Sequence, residues 1–209
     1  MVSHKYKAIF IHVPKTGGSS IEQIIWPVEH GRAESDLWMG FKDRFHNKYQ
    51  TGGLQHLLAT QVQQELGQAI FDSYFKFCIV RDPWSKAVSQ FNYMKTRPDL
   101  MGFIGMLEGD CFKRYLSLIQ KREHVQWLPQ YRFVFDDNGE NLVDYIGRFE
   151  SLECEARHAL AVLNIPFMGF PHLNKGAQIS VFERDSEARD IVAHIYRQDY
   201  TCFSYYPHS

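Results

Sequence analysis

The sequence lacks the cysteine pattern of a metal-binding or disulfide-rich protein. Its four cysteines are widely spaced and form no Cys-x-x-Cys pair, which argues against a structural zinc site or a dithiol redox centre. A chain of 209 residues is long enough to fold without disulfide bonds. We therefore expect reduced, mostly buried thiols at Cys78, Cys111, Cys154 and Cys202.

The sequence also lacks a charge excess and a long apolar run. The 23 Lys and Arg residues nearly balance the 24 Asp and Glu residues, so no global attraction to nucleic acid or anionic lipid is expected. The apolar stretch that ends at Pro14 is too short to span a bilayer and has no small-residue cleavage site. We expect a cytoplasmic protein with no membrane span and no nucleic-acid partner, in which any anion must bind to a local cluster of donors.

The remaining composition is typical of one globular domain. With 44% hydrophobic and 22% charged residues, the chain is too apolar for disorder and too rich in charge for a membrane protein. A chain of this length buries about 70% of its unfolded surface. Because it contains no internal repeat, low-complexity tract or linker, we predict a single domain over residues 1–209.

Hydrophobic patterns predict an α/β fold with a mostly parallel central sheet. Nearly continuous apolar runs at residues 7–13 and 74–80 predict strands that are covered on both faces. Residues 131–135 and 141–149 flank a strong turn signal, Asp136-Asp137-Asn138-Gly139, and predict a hairpin or strand pair. Apolar residues at helical spacing predict helices over about residues 20–28, 54–71, 84–95, 154–163 and 186–200.

The predicted strands at residues 7–13 and 74–80 are each followed by the start of a helix. Ser19 and Glu22 have the spacing of a capping box, and Asp82 and Pro83 suit the N-cap and first position of the next helix. A strand, a tight loop and a helix N-terminus together direct backbone N–H groups at an anion. We therefore expect an anion-binding loop after each strand.

The first of these loops reads Pro14-Lys15-Thr16-Gly17-Gly18-Ser19-Ser20. Gly17 and Gly18 let the backbone approach a bulky anion, whereas the lysine precedes the glycines instead of following them as in a Walker A loop. The segment resembles the 5′-phosphosulfate loop of sulfotransferases. That resemblance implies a P-loop-kinase-like sulfotransferase fold and 3′-phosphoadenylyl sulfate (PAPS) as sulfuryl donor, with PAP as product and no metal.

The second segment, Arg81-Asp82-Pro83-Trp84-Ser85-Lys86-Ala87-Val88-Ser89, resembles the family's 3′-phosphate motif. The resemblance implies that Arg81 and Ser89 bind the ribose 3′-phosphate, for which an arginine fork is well suited. Lys86 departs from the family pattern, which often has arginine there.

Residues 144–152 are similar to carbohydrate-type, family 2 sulfotransferases, so the acceptor is expected to be a small molecule or a glycan, with carbohydrate favoured.

The resemblance also implies the site residues. Lys15 would stabilise the leaving phosphate oxygen, and His56 would act as general base, with His12 and Glu22 as competitors. Apart from the resemblance, aromatic residues in the irregular stretch 38–49 could contact the acceptor by stacking or belong to the ordinary core. The expected PAPS-binding residues are Lys15, Thr16, Gly17, Gly18, Ser19, Ser20, Arg81, Ser89 and Lys175.

Structural interpretations of the same residues remain open at this level. Ser19 could only cap a helix, Lys15 and Lys175 could be solvated, and Ser89 could lie on a solvated face. Arg81 could pair with Asp82, and Arg148 could contact the nucleotide or pair with Glu150 or Asp144. The alternative functions are a P-loop-type nucleotide-dependent kinase and a catalytically inactive nucleotide-binding module.

Overall fold

The computed structural model describes residues 1–25, 56–170 and 185–207. Its four strands form one sheet in the order β1-β2-β3-β4, in which β2, β3 and β4 are parallel and β1 is antiparallel to β2. The predicted α/β class with a mostly parallel sheet is confirmed. The strands are β1 (Val2–Ser3), β2 (Ala8–Ile11), β3 (Phe75–Val80) and β4 (Tyr145–Arg148).

Helices precede and follow the strands along the described part of the chain. Two short 3-10 helices, at Val125–Trp127 and Phe149–Ser151, accompany them. The α-helices are α1 (Gly18–Ile25), α2 (Ala59–Leu66), α3 (Gln68–Ser73), α4 (Pro83–Met94), α5 (Pro98–Ile104), α6 (Phe112–Ile119), α7 (Tyr131–Val134), α8 (Leu152–Val162), α9 (Ser186–Ile195) and α10 (Arg197–Cys202).

The chain divides into two compact units, one of which contains the sheet. This unit comprises Met1–Val80 and Arg132–Leu173. All four residues of β2 are completely buried, as expected for a strand covered on both faces. Ile11 pairs with Cys78, and Val80 pairs with Arg148, so the segments that follow β2 and β3 leave the sheet at the same edge.

The second unit comprises Arg81–Tyr131 and Asn174–Ser209 and is helical in its described part. Its core contains an aromatic cluster on α4 and α6. The ring centroids of Phe91 lie 5.4 Å from those of Phe112 and Tyr115, and Trp84 meets Phe112 edge to face at 5.5 Å. Offset and edge-to-face pairs of this kind add to the stability gained by burial.

The prediction of a single helix over residues 54–71 is wrong, because the helix is interrupted at Gly67. Gly67 has a φ of 77° and separates α2 from α3. The break changes which apolar side chains face the core: Phe71 is 1% exposed, whereas Ile70, which stands at helical spacing from Val62 and Leu66, is 41% exposed. Residues 54 and 55 lie outside the described residues.

The predicted hairpin is also wrong, although its turn forms. Gly139 N donates to Asp136 O at 3.1 Å, but residues 131–134 are helical and the two arms share a single bridge, Phe135 to Asn141. Residues 145–148 instead pair with β3 as a parallel strand. The partner of this strand lies about 70 residues away, so no local turn signal could identify it.

Two smaller differences concern the last predicted helix and the cysteines. The predicted helix over residues 186–200 divides at Tyr196 into α9 and α10, while α8 matches the expected helix near residues 154–163. All four cysteines are free as predicted, but only Cys78 is buried, because the other three lie on exposed positions of helices or directly before one. Among the described residues, no helix has the length and apolar character needed to cross a membrane.

Candidate functional site

The loop between β2 and α1 has the backbone geometry of an anion-binding nest. Lys15 has a φ of 67° and Gly17 a φ of 80°, whereas Thr16 between them does not have a positive φ. Alternation of this kind turns successive backbone N–H groups toward a common point, which favours an anion. Helix α1 begins directly afterwards and adds the N–H groups of its first turn.

Two hydrogen bonds within the loop hold this conformation. Thr16 Oγ1 donates to Val13 O at 2.9 Å, and Ser20 N donates to Gly17 O at 3.0 Å. They support a left-handed φ at Lys15, which costs a non-glycine residue about 1–2 kcal/mol. Because the hydroxyl proton of buried Thr16 is used inside the loop, Thr16 can offer an anion its backbone N–H instead.

The capping box predicted at Ser19 and Glu22 does not describe the start of α1. The helix begins at Gly18, which places exposed Ser19 inside the first turn and not at the N-cap. Glu22 lies 2% exposed beneath the loop, and its Oε1 is 2.6 Å from His12 Nδ1. Glu22 is therefore a partner of a histidine, a role that its spacing from Ser19 did not suggest.

Close packing explains why glycines occupy the loop. A Cβ on Gly17 would lie 2.7 Å from Leu152 Cδ2, and a Cβ on Gly18 would lie 2.2 Å from the His12 ring. Real side chains do not approach so closely, so both positions exclude larger residues. The ring of His12 thus packs directly against the backbone at the start of α1.

Gly18→Ala is expected to destabilise the protein by about 1–3 kcal/mol, because the new methyl group must displace the buried His12 ring. The matched control is Gly102→Ala in α5, where a Cβ meets nothing within 4 Å and where alanine should stabilise the helix by about 0.5–1 kcal/mol. Urea unfolding of both variants measures the difference. Equal stability of the two variants would contradict the close contact.

His12 and Glu22 form a buried pair at the base of the loop. His12 is 4% exposed, its Nδ1–H donates to the Glu22 carboxylate, and its ring stacks on Phe10 with a centroid distance of 5.5 Å. A carboxylate that accepts from Nδ1 fixes the orientation of an imidazole. A ring held this tightly suits support of the loop more than contact with an acceptor. The His12 ring is bonded to the Glu22 side chain and not to a backbone group, whereas the His12 carbonyl oxygen accepts from His56.

His56 contacts this pair from the start of the second described segment. Its Nδ1 lies 2.9 Å from His12 O, and the two rings meet edge to face with centroids 4.6 Å apart. A carbonyl oxygen only accepts, so Nδ1 carries the proton and the neutral ring has its lone pair on Nε2. His56 is half-buried and therefore more accessible than His12. The structure thus brings His56 to His12, which is 44 residues away in sequence and lies two residues before the predicted loop.

The segment after β3 matches the predicted start of α4. Asp82 is the N-cap and accepts from Ser85 N at 2.8 Å, and Pro83 occupies the first helical position. Arg81 is 6% exposed, and its Nε donates to Ser85 Oγ at 2.8 Å. Ser89 is half-buried, one turn beyond Ser85 on the same face of α4. The i, i+4 spacing of Arg81 and Ser85 is a signal that could have identified Ser85 from the sequence.

Lys86, which departs from the family pattern, faces the interior of the helical unit. It is 1% exposed, and its Nζ donates to Leu128 O at 3.3 Å. Burial lowers its pKa to about 8. Two other buried polar residues of this unit, Gln130 and Asp199, were not found by sequence reasoning, because neither belongs to a local motif.

The remaining predicted residues are placed as follows. Arg148 is exposed at the end of β4, and Asp144, its suggested partner, lies 3.0 Å from Lys76 Nζ and accepts from Lys76 N. Lys175 and the aromatic stretch 38–49 lie outside the described residues. Within the described segments, His, Cys, Asp and Glu side chains form no group of three or more that could hold a metal ion.

Comparisons with known proteins give a curated relative and a family model. A stretch of 116 residues is 28% identical to an uncharacterized protein of Archaeoglobus fulgidus, a match that covers 52% of this chain and 82% of that protein. No solved structure gives a significant match. The family model described as "Sulfotransferase family" matches residues 1–206, nearly the whole chain. The chain therefore belongs to the sulfotransferase family.

Proposed function

We propose that this protein transfers a sulfuryl group from PAPS to an acceptor hydroxyl. The observation that carries the proposal is the loop from Lys15 to Gly18, where left-handed backbone, the start of a helix and a lysine before both glycines lie together. A phosphosulfate presents several terminal oxygens and therefore needs several N–H donors around it. Membership of the sulfotransferase family supports the same reaction.

A second phosphate contact distinguishes PAPS from ordinary nucleotides. We assign the 3′-phosphate to Arg81 and Ser89, on the resemblance of their segment to the family motif. The support for this assignment is the N-terminus of α4 beside Arg81 and the hydrogen bond that holds Arg81 Nε on Ser85. A guanidinium fixed through Nε can direct its outer nitrogens at a phosphate as a fork.

The chemistry assigned to the chain needs one base and one cation. PAPS, when bound, supplies an electrophilic sulfur whose bond to the bridging 5′-phosphate oxygen is weak. His56 Nε2 would accept the proton from the acceptor hydroxyl as that oxygen bonds to sulfur. Lys15 would stabilise the charge that develops on the bridging oxygen as its bond to sulfur breaks, so that PAP leaves and a sulfate ester forms.

The acceptor class follows from resemblance and not from geometry. Similarity of residues 144–152 to carbohydrate-type sulfotransferases favours a sugar hydroxyl, on a small molecule or a glycan. The predicted acceptor contacts at residues 38–49 and the predicted PAPS contact at Lys175 remain proposals, because these residues lie outside the described segments.

Calorimetry with PAP and with ATP plus magnesium tests the choice of nucleotide. PAP is expected to bind at least about tenfold more tightly, since only PAP carries the phosphate assigned to Arg81. A preference for ATP with magnesium would indicate a kinase and would overturn the proposal.

A transfer assay tests the reaction itself. Labelled PAPS is offered with glycans, phenols, lipids and tyrosyl peptides, and the labelled product is identified. Transfer to glycans is the expected result, and transfer to a different class would correct the acceptor. PAP binding with no transfer to any acceptor would indicate an inactive nucleotide-binding module.

A further inference from the structure

The backbone of Arg81 is held by a single buried side chain. β3 ends at Val80, so the N–H and C=O groups of Arg81 need partners outside the sheet ladder. Gln130 supplies both: Arg81 N donates to Gln130 Oε1 at 2.9 Å, and Gln130 Nε2 donates to Arg81 O at 2.7 Å. Gln130 is completely buried, so water does not compete for these bonds.

Gln130 is held in turn by Asp199 on α10. The two carboxylate oxygens accept from Gln130 N and Tyr131 N, each at 2.9 Å. Asp199 is completely buried, and burial raises its pKa to about 6. Because the Asp199 carboxylate accepts from two adjacent N–H groups, it fixes the backbone at Gln130 and Tyr131. It thereby also fixes the direction in which the Gln130 side chain extends from the backbone.

Lys86 supplies the opposite charge in the same interior. Its ammonium group binds Leu128 O, two residues before Gln130, and its Coulomb interaction with Asp199 favours the charged form of each group. Burying two charges is unfavourable, and apolar residues of similar size could fill such a space at lower cost. Together, Lys86 and Asp199 bond to backbone groups of Leu128, Gln130 and Tyr131.

We propose that Gln130, oriented by Asp199, is a positioning residue that sets the Arg81 guanidinium for contact with the 3′-phosphate. The inference rests on the proposed function of Arg81. Arg81 has a long side chain with several rotatable bonds, so its head group is defined only if its backbone and its Nε are both held. Gln130 holds the backbone, and Ser85 holds Nε.

The test is calorimetry of Gln130→Met with PAP and with AMP, which lacks the 3′-phosphate. Methionine keeps the length of the side chain and removes both hydrogen bonds to Arg81. PAP affinity is expected to fall by about 30-fold, as for two lost hydrogen bonds, while AMP affinity changes by less than about twofold. The matched control is Gln126→Met at a buried glutamine of the same segment, whose backbone N–H donates to His124 Nδ1, and it should keep the wild-type ratio of PAP to AMP affinity.

The ratio of the two affinities separates positioning from general stability. An unchanged ratio of PAP to AMP affinity in Gln130→Met, whether both affinities fall equally or neither falls, would overturn the inference. If this variant does not fold, Gln130→Glu keeps the acceptor for Arg81 N, removes the donor to Arg81 O, and should still lower the ratio. A wild-type protein that binds PAP and AMP equally would instead overturn the assignment of Arg81 to the 3′-phosphate, which is a distinct result.

Discussion

Replacing Lys15 with alanine is expected to lower kcat for sulfuryl transfer by about 10²- to 10³-fold, while PAP affinity changes much less. The reason is that Lys15 would neutralise charge on the bridging oxygen that exists only as the sulfur–oxygen bond breaks. The backbone N–H groups of the loop would still bind the phosphate in the ground state. Steady-state kinetics and calorimetry on the same variant separate the two effects.

Lys7→Ala is the matched control for Lys15→Ala. Lys7 is also a lysine with a left-handed φ, of 48°, but it lies before β2 and is exposed. Both substitutions therefore remove the same side chain from the same type of backbone. We expect Lys7→Ala to keep the wild-type kcat. A Lys15→Ala variant that keeps most of its activity would show that the loop binds phosphosulfate without the lysine.

Replacing His56 with alanine is expected to lower kcat by about 10²- to 10⁴-fold, the usual contribution of a general base. The rate of the wild type should rise with pH as the base loses its proton, and the variant should lose this dependence. The measurement is kcat against pH for both proteins. A variant with an unchanged pH profile would show that another group accepts the proton.

His56→Asn separates catalysis from support of the loop. Asparagine keeps an N–H donor that can reach His12 O, the contact made by His56 Nδ1, but it has no basic nitrogen. A base is lost in both variants, so His56→Asn should be as inactive as His56→Ala. Recovery of activity in His56→Asn would mean that His56 only anchors the loop. His194→Ala, at an exposed histidine of α9, should leave kcat unchanged.

The accurate predictions came from local signals. The apolar runs predicted β2 and β3 because a strand that is covered on both faces is almost entirely apolar, with Lys76 as the polar exception in β3. Asp82 and Pro83 marked the start of α4 because a cap and a fixed φ act within one turn. Anion binding by the loop at Lys15 stays a prediction, which rests on the order of a few neighbouring residues.

The inaccurate predictions needed information about distant partners. The periodic stripe in residues 54–71 gave no sign that Gly67 would take a φ of 77° and rotate Phe71 into the core. The turn at Asp136–Gly139 suggested that residues 145–148 pair with the preceding arm of a hairpin. In the structure they pair instead with β3, as a parallel strand. Competition between a local and a distant partner is decided by burial, which a local pattern does not measure.

The sequence by itself determined the fold class and predicted the two segments at Lys15 and Arg81, because short-range rules govern strands, caps and glycine loops. Only the tertiary structure decided how these residues are supported. His12 joins Glu22 and His56 beneath the loop, and Gln130 joins Arg81 to Asp199 over separations of 49 and 69 residues. Such contacts form because buried polar groups must find partners wherever the folded chain provides them, and sequence distance does not limit that choice.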